Sequence, residues 1–197
     1  MRTFPLVLRL AAPADLSEVR GLAVETTEWL RRNKDTDQWA KPWPDSDARD
    51  ERLLRDLTGG KTWIAWDGAI SAGTITIDTS DPVDPDGHYI WPEHKRLESA
   101  LYVHRVIVRR SHAGRGLGAE LFDWASEVAM RKIGTPLIRV DVWTDNWDLH
   151  AYYRRQGFTL CEFRDPRALP GYPSRALFER RTSPRRHGGN PSLFTEQ

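Results

Sequence analysis

The chain has 197 residues, 39% of them hydrophobic and 29% charged, and a formal net charge of +1. This length and balance predict one globular domain with a sizeable apolar core, and they argue against disorder and against nucleic acid as a partner. The one cysteine, Cys161, excludes an intramolecular disulfide and favours a reducing, cytoplasmic setting. We find no run of about 18 apolar residues and no signal-peptide core, so we expect no membrane partner.

The first half of the chain predicts a strand, two helices and a hairpin, joined by polar segments. The predicted elements are a strand at Leu6–Leu10, helices at Leu16–Arg32 and Asp47–Leu57, and hairpin strands at Lys61–Trp66 and Ala69–Ile77. Asp15 and Glu18 have capping-box spacing before the first helix, and Asp67-Gly68 is typical of a hairpin turn. The segments Asn33–Asp47 and Asp78–Ser99 contain prolines and are predicted to be loops, and loops this long are usually functional or mobile.

The second half of the chain alternates strands and helices. The predicted strands are Leu101–Val108, Leu137–Trp143, Phe158–Phe163 and Arg175–Phe178, and the predicted helices are Leu117–Arg131 and Asn146–Gln156. This alternation predicts an α/β (α+β) fold with a mixed, partly antiparallel central sheet of about 6–7 strands flanked by about 4 helices. We expect a single domain over residues 1–181 and a disordered polar tail over residues 182–197.

A glycine-rich turn joins a predicted strand to a predicted helix. Its alternate glycines are Gly114, Gly116 and Gly118. Such a turn lets the backbone approach a ligand closely, and its N–H groups at a helix N-terminus suit a pyrophosphate. Positive charge is added nearby by Arg109, Arg110 and Arg115.

The same turn has other interpretations. Gly114-x-Gly116-x-x-Ala119 also fits the dinucleotide fingerprint of a Rossmann domain. That fingerprint needs an acidic residue about 20 positions later at a strand end, whereas the next strand carries only Asp141, which comes later and lies inside it. No Gly-Lys-Ser/Thr follows, which excludes a nucleotide P-loop. A plain strand–helix corner is the structural alternative.

A second motif follows the strand after this turn. It consists of Asn146, Tyr153 seven residues later, and Gly157-Phe158. The turn, the strand and this motif, in that order, resemble the GNAT superfamily of N-acetyltransferases over Leu101–Phe163, and the first hundred residues match in element order only. The resemblance implies a GNAT-like sheet that is splayed between the strands at 101–108 and 137–143, with acetyl-CoA bound in the wedge as co-substrate.

The resemblance also implies which residues bind the coenzyme. The first strand of the wedge would pair with pantetheine, the glycine loop would hold the pyrophosphate, and the tyrosine hydroxyl would point at the thioester sulfur. The implied contacts are Val106, Ile107, Val108, Arg110, Gly114, Arg115, Gly116, Leu117, Gly118, Ala119, Asn146 and Tyr153. Family members usually have Arg or Gln where this chain has Ala113, so Arg110 or Arg115 is the candidate to replace that charge.

Acetyl transfer to an amine sets the chemistry of such a site. A free alkyl amine is largely protonated near neutral pH, so a base must remove a proton. The tetrahedral intermediate needs a donor for its oxyanion, for which the amide of Val106 or Ile107 is a candidate. The resemblance makes Tyr153 the general acid for the leaving thiolate, with a packed helix tyrosine as the alternative. Tyr152 is predicted to face elsewhere and pack.

His104 is the predicted base. It precedes Val108 by four residues, and strand alternation puts it on one face with Tyr102, Val106 and Val108. Imidazole titrates near working pH, and arylalkylamine-type members of the resembled superfamily carry a histidine at the matching place. The alternative is a hydrogen-bonded core histidine. Weaker candidates for the base are Glu98 and Asp141.

The acceptor is predicted to bind between the two long loops. Their aromatic residues, the candidate substrate-binding set, are Trp39, Trp43, Tyr89 and Trp91. Their acids are Asp35, Asp37, Asp45, Asp81, Asp84, Asp86 and Glu93. Aromatic rings beside acids suit a cationic or amphipathic amine, so we expect a small molecule such as an antibiotic, a polyamine or an amino-acid derivative. A solvated acidic loop is the alternative.

Other functions stay open at this point. A protein N-terminus or lysine is the second acceptor class, a non-catalytic acyl-CoA-binding sensor is a different class of protein, and a nucleotide-dependent oxidoreductase is a third. The oligomeric state is open as well, with a homodimer as the candidate. No metal is expected, because the histidines outside the candidate site show no metal spacing with cysteine or carboxylates. These are His88, His94, His112, His150 and His187.

Overall fold

The computed structural model describes residues 6–40, 42–184 and 194–196. In these ranges the strands are β1 (Leu6–Leu10), β2 (Thr62–Asp67), β3 (Ile70–Asp78), β4 (Ala100–Val108), β5 (Leu137–Val142), β6 (Thr159–Phe163), β7 (Ala176–Arg181) and β8 (Phe194–Glu196). The α-helices are α1 (Leu16–Asn33), α2 (Ser46–Thr58), α3 (Glu93–Arg96), α4 (Leu117–Val128) and α5 (Trp147–Arg155). A π-helical turn, Ala129–Ile133, continues α4 to Gly134. The strands and helices expected from periodicity are all present.

All eight strands form one sheet in the order β6-β7-β5-β4-β3-β2-β1-β8. Two neighbouring pairs, β4–β5 and β1–β8, are parallel, and the others are antiparallel. The β2–β3 hairpin turns at the predicted Asp67-Gly68, where Gly68 has a positive φ of 59°. The mixed α/β class is therefore confirmed, with slightly more strands than the sequence predicts.

The sheet opens in its middle. Strands β4 and β5 pair at only three positions, Ala100↔Leu137, Leu101↔Ile138 and Tyr102↔Arg139. Beyond Tyr102 the rest of β4 has no pairing with β5. The predicted splay between the strands at 101–108 and 137–143 is confirmed, and it leaves backbone groups of β4 available at the gap.

A β-bulge lies in the open part of β4. His104 is opposite Thr76 and Ile107 is opposite Thr74, so β4 has one residue more than β3 over this stretch. Arg105, inside the bulge, has a left-handed φ of 49°, which is uncommon for a residue other than glycine.

The bulge corrects one expectation about strand faces. An inserted residue reverses the alternation of side chains along a strand. Val106 and Val108 accordingly pack against the cluster that contains Leu101 and Val103, whereas Tyr102 belongs to a separate cluster. The expected common face of Tyr102, His104, Val106 and Val108 is therefore wrong beyond His104.

Helix α4 supplies much of the main core. Its buried apolar side chains recur at helical spacing and pack on the sheet, and they are Leu117, Leu121, Phe122, Trp124, Ala125 and Val128. Phe122 contacts the rings of Tyr153 and Phe158, with centroids 5.4 and 5.2 Å away. This packing fixes α4 and α5 against each other at the gap in the sheet.

Two further expectations need correction. Asp15 is the N-cap residue of α1, but its Oδ2 accepts a hydrogen bond from the amide of Ala12 at 2.8 Å, and Glu18 accepts one from Ser71, so the capping box of α1 does not form. The disordered tail is wrong for Phe194–Glu196, which pair with β1, because Phe194 buries its ring in the core. Residues 185–193 and 197, including His187, lie outside the described residues.

None of the helices in the described ranges is long and apolar enough to cross a lipid bilayer.

Candidate active site

A cavity of about 1050 Å³ lies where β4 and β5 separate. The walls come from β4 at 103–108, the start of α4, the end of β5, and helices α1, α2 and α5. A cavity of this size is at the upper end of the range for small-molecule sites.

The glycine loop forms one end of the cavity. Gly114 and Gly116 have φ of 78° and 85°, a conformation that L side chains rarely adopt. Gly116 is the N-cap of α4 and has no side chain, so the first amides of the helix receive no side-chain cap. A Cβ on Gly118 would lie 2.5 Å from the hydroxyl oxygen of Tyr152. Backbone conformation therefore favours glycine at the first two positions, and the close approach of Tyr152 favours it at the third. The loop presents a helix N-terminus to the cavity.

The structure brings all but one of the predicted coenzyme contacts to this cavity. Arg115 is the exception, since it is exposed and lies outside the cavity lining. The Arg110 guanidinium lies 3.8 Å from the ring centroid of Trp29 and does reach the cavity. Of the two candidates to replace the charge missing at Ala113, Arg110 is the one that the geometry favours. Arg109 is instead bound to Glu25, at 2.9 Å.

Asn146 lines the cavity but its side chain also holds local structure. Its Oδ1 accepts a hydrogen bond from the amide of Leu149 at 2.9 Å, which caps α5. Its Nδ2 donates to Oε1 of Gln38 at 2.6 Å. Asn146 thus ties α5 to the segment between α1 and α2.

Tyr153 is 9% exposed and packs between the rings of Phe122, Phe158 and Phe178 while it lines the cavity. Burial raises the pKa of its phenol strongly, and the nearby Tyr152 and Asp141 add to the increase. A phenol in this environment stays protonated near neutral pH, as a proton donor must.

Tyr152 was expected to face elsewhere, but it lines the same cavity. Its ring packs on Phe122 with centroids 6.5 Å apart, and its hydroxyl reaches Gly118. Burial raises the pKa of this phenol as well. Of the two adjacent tyrosines, Tyr153 therefore packs in the core, whereas Tyr152 contacts the glycine loop.

His104 lies beside a buried carboxylate. Its Nδ1 is 3.4 Å from Oδ1 of Asp141, and the hydroxyl of Tyr172 donates to Oδ2 of the same carboxylate at 2.5 Å. Burial raises the pKa of Asp141, but the contacts with His104 and Tyr172 outweigh it, so this pKa lies below its ordinary value. Burial and Asp141 hold the pKa of Tyr172 far above its ordinary value.

These contacts define a cluster of His104, Asp141 and Tyr172 on the wall of the cavity. An ionised carboxylate beside Nδ1 orients an imidazole so that its Nε2 is available to take a proton. The sequence makes Asp141 a weaker candidate for the base, whereas no pattern in it points to Tyr172. Glu98, the other weak candidate, is exposed and outside the cavity lining.

The predicted aromatic set divides in two. Trp39 and Trp43 line the cavity, whereas Tyr89 and Trp91 do not. Trp91 is fully buried in a second core cluster with Tyr102, where Arg139 lies 4.8 Å from its ring centroid. Its candidate role in substrate binding is therefore corrected to core packing, because the loop folds onto the sheet. Tyr89 is half exposed, and the guanidinium of Arg96 lies 3.7 Å from its ring centroid.

The predicted acids are mostly absent from the cavity. Of the seven, only Asp81 is part of the lining. Asp37 accepts a hydrogen bond from Trp143, and Asp45 caps α2. Helix α2 instead brings three arginines to the cavity wall, Arg49, Arg52 and Arg55. The expectation that the acids of the two loops line the acceptor site is therefore wrong for six of the seven.

One group of three potential metal ligands occurs in the described ranges. Ligand atoms of Asp84, Asp86 and His88 lie within 4.8 Å of one another, outside the cavity lining. His88 Nδ1 and Asp84 Oδ2 are 3.0 Å apart, an interaction that accounts for this grouping without an ion. We assign no metal to it.

Comparisons with known proteins agree with this geometry. The model of the acetyltransferase (GNAT) family matches residues 25–158. The chain is 31% identical over 152 residues to the uncharacterized N-acetyltransferase YesJ of Bacillus subtilis (strain 168), covering 75% of this chain and 80% of YesJ.

Solved structures of this family have the same fold. A GNAT family acetyltransferase from Listeria monocytogenes superposes with a TM-score of 0.69 at 24% identity, over 89% of this chain and 94% of that one. The PaiA N-acetyltransferase from Thermoplasma acidophilum, in complex with coenzyme A, superposes with a TM-score of 0.63 at 17% identity, over 90% and 99%.

The splayed sheet and the glycine loop define an acyltransferase fold with an open cavity at the splay. The chain belongs to the GNAT family of acetyltransferases.

Proposed function

We propose that this protein transfers the acetyl group of acetyl-CoA directly to a primary amine of a small molecule. One observation carries the proposal. A single cavity contains the glycine loop at the start of α4, the unpaired stretch of β4, the phenol of Tyr153 and the imidazole of His104. These are the groups that a coenzyme site, an acid and a base for amine acetylation would require, and their presence in one cavity supports the proposal.

The residues at the wedge fit coenzyme A. The uncapped N-terminus of α4 and the glycines before it suit the pyrophosphate, with Arg110 beside them. Val106–Val108 offer strand backbone that β5 leaves unpaired, which suits the amides of pantetheine. Bound there, acetyl-CoA supplies an acetyl thioester.

His104 is the base in this proposal, and Asp141 is its positioning residue. The acceptor reaches the site largely as an ammonium ion, so the imidazole must take a proton, directly or through one water. In the described ranges Nε2 of His104 makes no hydrogen bond to the protein, which leaves it available to the acceptor. Asp141, with Oδ1 3.4 Å from Nδ1, stabilises the imidazolium that forms.

Tyr153 is the acid in this proposal. Its raised pKa keeps the hydroxyl protonated, so it can donate its proton toward the sulfur as negative charge develops there on cleavage of the carbon–sulfur bond. The amide of Val106 or Ile107 is the candidate donor for the carbonyl oxygen as negative charge develops on it. No covalent intermediate on the enzyme is needed, so the chain requires no cysteine or serine nucleophile.

Thiol release from acetyl-CoA tests the proposal. The acceptors are polyamines, aminoglycosides, arylalkylamines, amino acids, and peptides with a free N-terminus or lysine. We expect amine-dependent release, and a loss of about 100-fold or more in kcat for Tyr153→Phe and His104→Ala. Tyr89→Phe and His94→Ala, outside the cavity lining, are the matched controls. Calorimetry gives the affinity for coenzyme separately.

Each outcome has a separate meaning. Release with peptides only would replace the small-molecule acceptor by a protein acceptor. Coenzyme binding without release for any acceptor would favour a sensor. Failure to bind the coenzyme would contradict the assignment of the wedge.

A further inference from the structure

The half-buried guanidinium of Arg52 lies on the acceptor side of the cavity, next to Trp43. We propose that the acceptor amine also carries a carboxylate, as an amino acid does, and that Arg52 binds this carboxylate. The inference rests on the function proposed above and names the substrate class of the same site.

Unpaired positive charge remains in this part of the cavity after its ion pairs are counted. Its carboxylates already have partners among the described residues. These pairs are Asp56 with Arg105, Asp78 with Lys61, Asp81 with Arg96, and Asp141 with His104 and Tyr172. Among the cationic residues, Arg49 is paired with Asp50 at 3.1 Å.

Arg52 and Arg55 differ from these cations. Within the described ranges, no carboxylate oxygen lies within 4.0 Å of either guanidinium. Arg55 is exposed at the rim, where water solvates its charge. Arg52 is not, and burial lowers the pKa of its guanidinium. An unpaired charge that has lost part of its water is costly, and an anionic ligand offsets that cost.

The position of Arg52 is fixed by an aromatic ring. Its guanidinium carbon lies 5.6 Å from the centroid of Trp43, and one Nη donates to the carbonyl oxygen of Trp43. Guanidinium has five N–H donors, so donors remain for a ligand. A planar guanidinium held against an indole is well suited to bidentate contact with a carboxylate.

Arg52 is connected to the proposed base by direct contacts. The ring of Trp43 packs edge-on against Tyr172, with centroids 5.0 Å apart. Tyr172 donates to Asp141, and Asp141 lies 3.4 Å from His104. An acceptor whose carboxylate is at Arg52 would therefore lie along Trp43 and Tyr172 with its amine toward His104. A polycationic acceptor would instead meet unpaired positive charge.

Matched acceptor pairs test this inference. Amino acids with apolar, aromatic and polar side chains are each compared with the corresponding amino-acid amide, which keeps the amine and removes the carboxylate. We expect kcat/KM to favour the best carboxylate over its amide by about tenfold or more. In Arg52→Gln, kcat/KM for that carboxylate should fall by about 30-fold, mainly through KM, and that for the amide by less than about threefold.

Two further variants sharpen the comparison. Arg52→Lys keeps the charge but loses the planar fork, so it should recover only part of the loss. Arg31→Gln removes an exposed arginine from α1, outside the cavity lining, and should behave as wild type. Thermal unfolding and calorimetry with coenzyme A verify that each variant folds and retains its coenzyme site.

The outcomes separate this inference from the proposed function. Transfer to amides or simple amines at least as fast as to carboxylates, or without a loss in Arg52→Gln, would overturn the inference and leave the transferase intact. Absence of transfer to any acceptor would overturn the proposed function. In that case calorimetric titration of N-acetyl amino acids into the coenzyme-loaded protein tests the carboxylate site separately. Equal binding by wild type and Arg52→Gln, or no binding to either, would overturn the carboxylate site.

Discussion

Gly118 is a residue at which the glycine loop lies very close to Tyr152 of α5. A Cβ placed there would lie 2.5 Å from the hydroxyl oxygen of Tyr152, but 3.6 Å from the ring carbon that carries that hydroxyl. The first distance is a severe overlap and the second is an ordinary contact. Removing one oxygen atom therefore makes room for one methyl group.

This geometry predicts a compensating pair of substitutions. Gly118→Ala should lower the free energy of unfolding by about 1–3 kcal/mol, because the partly buried phenol of Tyr152 must move. Adding Tyr152→Phe should recover most of that loss. Urea unfolding of the two single variants and the double variant measures the coupling. Additive effects would mean that the methyl group meets some other obstacle.

Asp141 illustrates a second effect of a single residue, on pH dependence. Its pKa lies below the ordinary value despite burial, because of its contacts with His104 and Tyr172. A carboxyl whose pKa is lowered by folding stabilises the fold above its unfolded pKa of about 4, and this contribution is lost as pH falls through the folded pKa.

Asp141→Asn should therefore change the pH dependence of stability. The free energy of unfolding of the wild type should exceed that of the variant by most at about pH 6. This difference should become smaller below about pH 4. Urea unfolding between these pH values measures it. Asp78 and Glu179 also have lowered pKa values, but both proteins keep them, so their effects cancel. Asp86→Asn, at an exposed carboxyl, is the control, and a constant difference across the range would contradict the prediction.

At the scale of the element, strand β4 has a bulge where Arg105 adopts a left-handed φ of 49°. The bulge lies in the stretch that separates from β5, between His104 and the valines of the wedge. Arg105 offsets the conformational cost through its ion pair with Asp56. Burial lowers the pKa of its guanidinium to about 10, which still leaves it charged at neutral pH.

The bulge predicts that glycine and alanine variants have the reverse of their usual order of stability. In an ordinary strand, glycine is less stable than alanine. At Arg105 both variants lose the ion pair, but glycine accepts a positive φ and alanine does not, so Arg105→Gly should be more stable than Arg105→Ala by about 1 kcal/mol. The same two substitutions at Arg9 in β1 are the control and should show the ordinary order. The ordinary order at both sites would contradict the assigned backbone.

The elements also show what sequence can predict. The hairpin at Asp67-Gly68, the helix after the glycine turn and the helix at Asn146–Gln156 depend on residues close together in the chain, and each was predictable. Tyr172 and Asp141 are 31 residues apart, and no local pattern connects them. A left-handed arginine carries no sequence signal either, so the bulge and the reversed faces of β4 could not be predicted.

The same limit applies to the loops that surround the site. Trp91 was a candidate binding residue because it is aromatic and lies in a long polar loop. Nonlocal packing against Tyr102 instead buries it completely. The acids of the loops suggested a site for a cation, whereas tertiary structure brings the arginines of α2 to the cavity. Sequence therefore predicts the end of the cavity at the glycine loop better than the end at α2, because only the former is built from contiguous motifs.

At the scale of the whole molecule, β8 closes the edge of the sheet beside β1. Phe194 is 2% exposed and belongs to the main core, and Glu196 accepts a hydrogen bond from Trp124 at 2.9 Å. Residues close to the C-terminus thus connect the first strand with α4. The polar composition around them conceals this role.

Phe194 should therefore contribute strongly to stability. Phe194→Ala should lower the free energy of unfolding by about 3 kcal/mol, because it leaves a cavity between β8 and α4. Thr195→Ala, at an exposed position of the same strand, should change it by less than about 0.5 kcal/mol. Thermal and urea unfolding compare the two variants. Equal and small losses would mean that β8 is not held in the fold.

The splay has a mechanical consequence for the molecule. Three residue pairs are all that β4 and β5 share, so along this line the sheet consists of two plates joined by a short hinge at Ala100–Tyr102. One plate contains β6, β7 and β5, and the other contains β4, β3, β2, β1 and β8. A molecule inserted between the plates and bonded to both edges acts as a wedge that stiffens the hinge. Insertion of such a molecule breaks no strand pairing, because the facing edges beyond the hinge are already unpaired with each other.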